Sequence, residues 1–350
     1  MNVGPAAAER GALAASVIIT AHDRPQFLRE AVESILAQDL DRSKYEVIVV
    51  KNFSESAIDA FLDRQGVRRI LCKERSSSRK VAEGLREARG TVVFLLDDDD
   101  LFEPNKLGIV LREFESCPTL GFYHNQVSLI GRDGGPLPAG KGKAFALRSA
   151  GRARRVALSN EAKNNGLAKL AFSYPDFNSS SLAIRHDLAV ESLPFLTRIE
   201  GGVDTFFFFA ALISPCSLLF DDKRLTRYRI HDENTSLAGA ADPRARRARL
   251  LAAAHQQDHV NRVTREMVVD SGHASVLREL DARILITQLS IVFRDPQSDR
   301  ADAARALLRG IGLRGTFAVK ENLPSLAGAM LFALSPGLAR TTYDHRVSIR

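Results

Sequence analysis

The sequence predicts an α/β protein with a parallel sheet in its first hundred residues and a helical region at its C-terminal end. Three observations carry that expectation. Short β-branched runs, Ser16–Thr20 (SVIIT), Tyr45–Val50, Arg69–Cys72 and Thr91–Leu96, alternate with stretches of helical spacing, the β-α-β-α-β order of a parallel sheet covered by helices. From Asp242 onward the chain turns Ala-, Leu- and Arg-rich, with helical spacing and few strand formers. Its 350 residues also exceed what one hydrophobic core usually holds, which favours a large domain plus a smaller one.

Each element has a local cause. SVIIT is apolar without alternation, as a strand buried on both faces must be, and it ends at Ala21, His22 and Asp23. Pro25 suits the first turn of a helix whose Phe27, Leu28, Ala31, Val32, Ile35 and Leu36 fall on one face. A helix carrying Val81, Ala82, Leu85 and Ala88 leads through Gly90 into the fourth strand. Pro104 is expected to start another helix, and Leu120–Ile130 to form a strand that runs into a turn at Asp133-Gly134-Gly135-Pro136. The segment from Pro138 to Asn165 has no period and reads as a mobile loop near the active site. Strand-like Ser180–Ile184, a Phe-rich helix around Asp204 and strand-like Arg224–Ile230 close the first domain. The expected division is a leader at 1–14, a catalytic domain at 15–240 with halves near 15–107 and 108–240, and a helical region at 241–350.

Composition narrows the function. With 45% hydrophobic and 26% charged residues the chain is an ordinary folded protein, which excludes disordered, collagen-like and disulfide-scaffold classes. No apolar stretch reaches the roughly 18 to 20 residues of a membrane-spanning helix. Glu9 and Arg10 interrupt the N-terminus where a signal peptide would be apolar, so a cytoplasmic location is expected. The three cysteines, Cys72, Cys117 and Cys216, are odd in number and widely spaced, which suits reduced thiols. A net charge of +7 favours anionic partners, but no RNP-like or zinc-finger spacing organises the basic residues, and nucleic acid is not expected.

In open sheets of this kind ligands bind at the carboxyl ends of the strands. Those ends are His22-Asp23, Lys51-Asn52 and the four aspartates Asp97, Asp98, Asp99 and Asp100. Carboxylates at i and i+2 on a turn can share a hard divalent cation that also holds two phosphate groups. Taken alone, the run could equally be a solvated acidic turn. His255 and His259 have the i, i+4 spacing of a metal pair, yet Gln256-Gln257-Asp258 between them lacks the metalloprotease glutamate, and a solvated helix face is the better reading.

The segments SVIITAHDRPQFLREAVESILAQ, EVIVVKNFSES and EARGTVVFLLDDDDLFEPNKL resemble the first half of a family 2 glycosyltransferase with the GT-A fold, a Rossmann-like mixed sheet with flanking helices. The likeness continues more weakly through FNSSSLAIRHDL, GGVDTFFFFAAL and YRIHDENTS. It implies an enzyme that moves a sugar from a nucleotide-diphosphate donor to a hydroxyl acceptor, with Mn²⁺ or Mg²⁺ as cofactor. Carried over by position, Asp97 is the first aspartate of the family's D-x-D motif, near the ribose, Asp98 its variable middle and Asp99 the metal ligand. His22 and Asp23 would meet the base. Asn52 stands where many members have a uracil-reading aspartate, so UDP, GDP and dTDP donors all stay open. Arg79 and Lys80 lie in the segment that packs against the nucleotide, and Asn178 in the loop that faces donor sugar and acceptor.

Asp204 takes the place of the late acidic motif, the base of inverting members, although the neighbouring glutamate is Val203 here. His231 opens a stretch like the family's late H-x-x-N-x-S and would reach the metal or the departing diphosphate. The acceptor implied is a glycan, a polysaccharide or a lipid-linked molecule. For the C-terminal helices, a peripheral contact with the inner face of the membrane and packing in a homodimer both stand. Two other functions stay in view, a non-catalytic sugar-nucleotide-binding scaffold and a sugar-1-phosphate nucleotidyltransferase. The latter needs a Gly-rich loop after the first strand, where AHDRPQF has no glycine.

Overall fold

The run SVIIT forms the core of β1 (Ala15–Ala21), which is shielded from solvent at six of its seven positions. β1 runs parallel to β2 (Tyr45–Lys51), β2 runs parallel to β3 (Arg68–Leu71), and β4 (Val92–Asp97) returns to the other side of β1, again parallel. The strand order therefore reverses between β1 and β4, the place where open sheets of this kind bind ligands at the carboxyl ends. The structure, a computed structural model, describes residues 13–137, 155–163, 178–231, 243–313 and 315–339.

Beyond β4 the sheet becomes mixed. β5 (Leu101–Phe102), β6 (Leu120–Ile130), β7 (Val156–Leu158), β8 (Leu182–Arg185) and β9 (Ser217–Arg229) extend it in the order β3-β2-β1-β4-β8-β6-β9-β5, with β7 paired to β9. β8 is antiparallel to both β4 and β6, whereas β6 and β9 run parallel. α1 (Pro25–Leu36), α2 (Ser56–Arg64), α3 (Ser77–Glu87), α4 (Lys106–Ser116) and α5 (His186–Glu191) accompany this sheet. α1 starts at Pro25 and buries Phe27, Leu28, Ala31, Val32 and Ile35, the face its spacing marks. Gly90 shows how tightly the parallel half packs. A methyl group there would lie 2.2 Å from the carbonyl carbon of Ala15 and 2.3 Å from the nitrogen of Ser16, so only glycine fits.

Several boundaries differ from the sequence reading. The helix expected at Pro104 begins at Lys106, because Leu101 and Phe102 first pair with Arg227 and Thr226 as β5. β9 begins at Ser217, seven residues before the expected strand, because its first residues run parallel to Leu120–His124. Most of the segment read as a mobile loop, and residues 1–12 of the leader expected at 1–14, lie outside the described residues. Its described part holds β7 and a single helical turn at Asn160–Ala162.

Compactness divides the chain into two units. The first holds the sheet and takes the described residues through Ala157, Asn178–Thr197 and Cys216–Arg229. The second takes Leu158–Lys163, Arg198–Pro215 and the described residues from Ile230 onward. It contains α6 (Val203–Ile213), α7 (Pro243–Val269), α8 (Ala274–Arg294), α9 (Arg300–Ile311), α10 (Phe317–Glu321) and α11 (Leu323–Leu334). α6 packs on α7 and α8, so it groups with the C-terminal helices and not at a linear boundary near residue 240. A cluster including Leu285, Leu289, Phe293, Ala303 and Phe332 forms a core among α8, α9 and α11.

Candidate active site

Register brings the strand ends together. Thr20 pairs with Asp97 and Ala21 with Lys51, so the residues that follow β1, β2 and β4 meet at one edge of the first unit. Asp97 is half-buried; the Thr20 hydroxyl donates to its Oδ1 at 3.2 Å, and its own N–H donates to Ser180 Oγ at 3.0 Å. The next three aspartates are buried.

Asp98 is held from two sides. The His22 N–H donates to its Oδ2 at 2.9 Å, and Arg24 Nη2 donates to its Oδ1 at 2.5 Å. Burial pushes its carboxyl up to about 7, against the pull of Arg24. Arg24 Nη1 also reaches Asp99 Oδ2 at 2.6 Å, so one guanidinium spans two consecutive aspartates. Burial works against the charge on Arg24, but Asp98, Asp99 and Asp97 together outweigh it and hold the guanidinium protonated.

Asp100 points away from this edge into a fully buried network. It accepts from the Arg229 N–H at 2.9 Å, and burial, then Asp99 and Asp97, push its carboxyl well above the usual range. Arg229 is itself fully buried. Its Nε donates to the Asp99 carbonyl at 2.7 Å and its Nη2 to Glu30 at 2.7 Å, which ties the acidic turn to α1 and β9. Lys106 stands below, its Nζ 2.5 Å from the Ser180 carbonyl, 2.9 Å from Thr226 Oγ1 and 3.7 Å from the Phe102 ring centre. Burial lowers its pKa far below that of an ordinary lysine. Asn178 Nδ2 lies 3.5 Å from Asp100 Oδ2.

At the end of β2, Asn52 and Asp23 bond reciprocally. Asn52 Oδ1 accepts the Asp23 N–H at 3.0 Å, and Asn52 Nδ2 donates to Asp23 Oδ1 at 2.8 Å. Asp23 has a φ of 54°, a left-handed conformation that aspartate tolerates better than most residues. Lys51 is buried and turns inward to Asp59 at 2.7 Å and the Phe53 carbonyl at 2.6 Å, so of these two neighbours it is Asn52 that meets Asp23. Lys80 is buried on α3 with its Nζ 3.0 Å from His22 Nδ1. Because an ammonium has no acceptor, His22 Nδ1 must accept, which leaves Nε2–H directed toward Asp23 Oδ2, 3.4 Å away. Burial, followed by the charge of Lys80, lowers the His22 pKa. The other expected cation, Arg79, is exposed and pairs with Glu74 at 3.0 Å.

Asp204 and His231 belong to the second unit. Gly202, at a φ of 68°, turns the chain into α6 and leaves Asp204 in the first turn, where a negative charge suits the helix N-terminus. The Thr205 N–H donates to Asp204 Oδ1 at 2.7 Å, yet burial raises the carboxyl above its usual pKa. Phe206, Phe207, Phe208 and Phe209 are all fully buried core residues. His231 is buried, and the rest of its motif, Asp232–Ser236, lies outside the described residues. His259 is exposed on α7 and bonds the Arg198 carbonyl at 2.8 Å.

Sequence reading missed Arg24, Arg229 and Glu30. One signal for Arg24 was available, since four consecutive carboxylates at a strand end call for a cation and Arg24 follows the neighbouring strand. Among the described residues no group of three or more His, Cys, Asp or Glu side chains converges to hold a metal by itself. Asp97 and Asp99 are the less buried carboxylates of this turn, and hard carboxylate oxygens are the donor type that Mg²⁺ takes together with substrate phosphates.

Residues 16–134 match the sequence profile of Glycosyl transferase family 2. Over 118 residues the chain is 30% identical to the uncharacterized glycosyltransferase YwdF of Bacillus subtilis, which covers 33% of this chain and 42% of that protein. Over 124 residues it is 27% identical to the uncharacterized glycosyltransferase alr2836 of Nostoc, covering 34% and 38%. The likeness thus spans less than half the length of either relative. In fold, the chain resembles the mannosyltransferase PcManGT from Pyrobaculum calidifontis, solved in complex with GDP-Man and Mn²⁺, with a TM-score of 0.52 at 16% identity over 99% of this chain and 89% of that one. The strand order, the acidic turn at the end of β4 and the match over residues 16–134 together show a first segment similar to glycosyl transferase family 2, in a chain whose fold resembles the GT-A fold of that mannosyltransferase.

Proposed function

We propose that the protein is a metal-dependent, inverting glycosyltransferase that uses a nucleotide-diphosphate sugar and a hydroxyl acceptor. The observation that carries this reading is the division of labour along the acidic turn. All four make internal contacts, but Asp98 and Asp100 are fully buried, while Asp97 and Asp99, two residues apart, are its less buried members. When bound through Asp99, with Asp97 beside it, Mn²⁺ or Mg²⁺ would neutralise the donor's diphosphate and ease its departure. His22, Asp23 and Asn52 form a hydrogen-bonding edge for the base and ribose. Asp204, raised in pKa by burial, takes the acceptor proton as the acceptor oxygen bonds to the anomeric carbon. The bond to the diphosphate breaks with its electron pair leaving on the phosphate oxygen, and the configuration inverts.

A melting-temperature screen of UDP-, GDP- and dTDP-sugars, with and without Mn²⁺, tests the donor side. One donor series in Mn²⁺ is expected to stabilise the protein by about 2.7 kcal/mol at a hundred times its Kd, a rise of several degrees. A protein whose melting temperature responds to none of them would contradict the reading. A donor that binds but is never turned over would favour the scaffold alternative.

The same reading takes the acceptor to be lipid-linked and places the second unit on an anionic membrane surface. No helix among the described residues is long and apolar enough to cross a membrane. However, Leu323, Met330 and Leu334 are exposed along α11, at 58%, 59% and 74% of their surface, and Leu338 just beyond its end at 56%. Between Asn322 and Tyr343 the only charged residue is Arg340, with Lys320 and Glu321 just before and Asp344 just after, so no acidic side chain falls within the stretch itself. Full-length protein is expected to float with phosphatidylglycerol vesicles, and to stop floating at high salt or as the Met330→Glu/Leu334→Glu variant. A dimer that does not float would assign the face to a second copy and remove this placement.

A further inference from the structure

We propose that Arg24 is a latch that keeps the divalent cation off Asp99 until a nucleoside diphosphate arrives. This rests on the metal-dependent reading above and concerns how the chain controls that same site. The two ends of the Arg24 fork are unequal. The Asp98 side chain is wholly inaccessible and also carries the His22 N–H, so that contact is an anchor. The Asp99 side chain retains 8% exposure, and the Arg24 side chain, 21% exposed, reaches its Oδ2 at 2.6 Å.

A cation bound to Asp99 would sit about 2.1 Å from a carboxylate oxygen. The guanidinium, bonded to the same carboxylate, would then place its positive charge within roughly 5 Å of a doubly positive ion, a strongly repulsive arrangement in so poorly solvated a site. Arg24 and the metal therefore compete for Asp99. The competition is asymmetric, because Arg24 can pivot on Asp98 and give up only its outer contact.

A diphosphate changes the balance twice. It supplies oxygen ligands beyond those that the described residues converge on the cation, and it offers the displaced Arg24 fork phosphate oxygens that a guanidinium binds in bidentate fashion. Metal and nucleotide thus bind with positive coupling, and a large share of that coupling resides in Arg24. The acidic turn is accordingly protected against loading with metal alone, which would leave the site filled in a form that still has to receive the donor.

The experiment measures free Mn²⁺ by electron paramagnetic resonance, without turnover, for the native chain and for Arg24→Met and Arg24→Lys, with and without UDP, GDP or dTDP, each against the same nucleotide without protein. Without nucleotide, Arg24→Met is expected to bind Mn²⁺ at least tenfold more tightly than the native protein. With nucleotide the difference shrinks to a few-fold, because Arg24 has already left Asp99. Removing the partner of a buried carboxylate risks the fold, so circular dichroism accompanies each variant. Arg24→Lys keeps a cation for Asp98 but has no fork to span both acids, and is expected to tighten Mn²⁺ binding several-fold. If folded Arg24 variants bind Mn²⁺ alone no better than the native chain, or worse, Arg24 only braces the turn and the latch is wrong. If none of the three proteins binds Mn²⁺ even with UDP, GDP or dTDP, the metal-dependent reading itself fails and the latch with it.

Discussion

Asp204→Asn is expected to lower sugar transfer about 10²-fold or more, the loss typical of a missing general base, while donor affinity changes no more than a few-fold. The substitution keeps the size of the side chain and its place in the first turn of α6, and removes only its ability to take a proton. The pH profile adds a second check. Burial raises the Asp204 carboxyl above its usual pKa, and only the ionised form can accept a proton. Transfer should therefore rise with pH through that raised value and then level off, with its acid limb displaced toward neutrality. The Asn variant should lose the limb altogether. Near-native transfer by Asp204→Asn, or a native acid limb retained in it, would place the base elsewhere and withdraw the inverting mechanism.

Removing the metal should have an effect of similar size. EDTA is expected to abolish transfer and added Mn²⁺ to restore it, and Asp99→Asn should require about ten to a hundred times more Mn²⁺ for half-maximal rate. The cause is electrostatic. An amide keeps a neutral oxygen at that position but loses the charge that a hard dication prefers, and the nearby Arg24 then repels the ion without a carboxylate between them. Mn²⁺ titrations of initial rate compare the two proteins directly. Full turnover in metal-free buffer would overturn the role given to Asp99. The two substitutions also separate from each other, since Asp204→Asn should leave the Mn²⁺ requirement unchanged.

Much of the first unit was legible from sequence, because its elements are specified by neighbours in the chain. The buried strands β1, β2 and β4 announce themselves as apolar runs, α1 by Pro25 and one apolar face, and the acidic turn by its place directly after an apolar strand. α2 was not anticipated. It carries only Ile58, Phe61 and Leu62 on its buried side, and its start depends on the Glu55 side chain accepting from the N–H groups of Ala57 and Ile58. β5 and the first half of β9 escaped notice for a different reason. Leu101–Phe102 is too short to show a period, and Ser217–Phe220 becomes a strand by pairing with residues almost a hundred positions earlier.

By itself, then, the sequence determined which segments become buried strands and helices, and which strand end carries the aspartates, since backbone propensity and apolar spacing act over a few residues. Tertiary structure alone decided what those aspartates face. Arg24 meets Asp98 from 74 positions away, and Arg229 fastens the same turn from 130 positions away. In sequence a buried arginine is indistinguishable from a solvated one. Its partner is selected only when register aligns the ends of β1 and β4 and when the low dielectric of the closed fold makes an unpaired charge untenable.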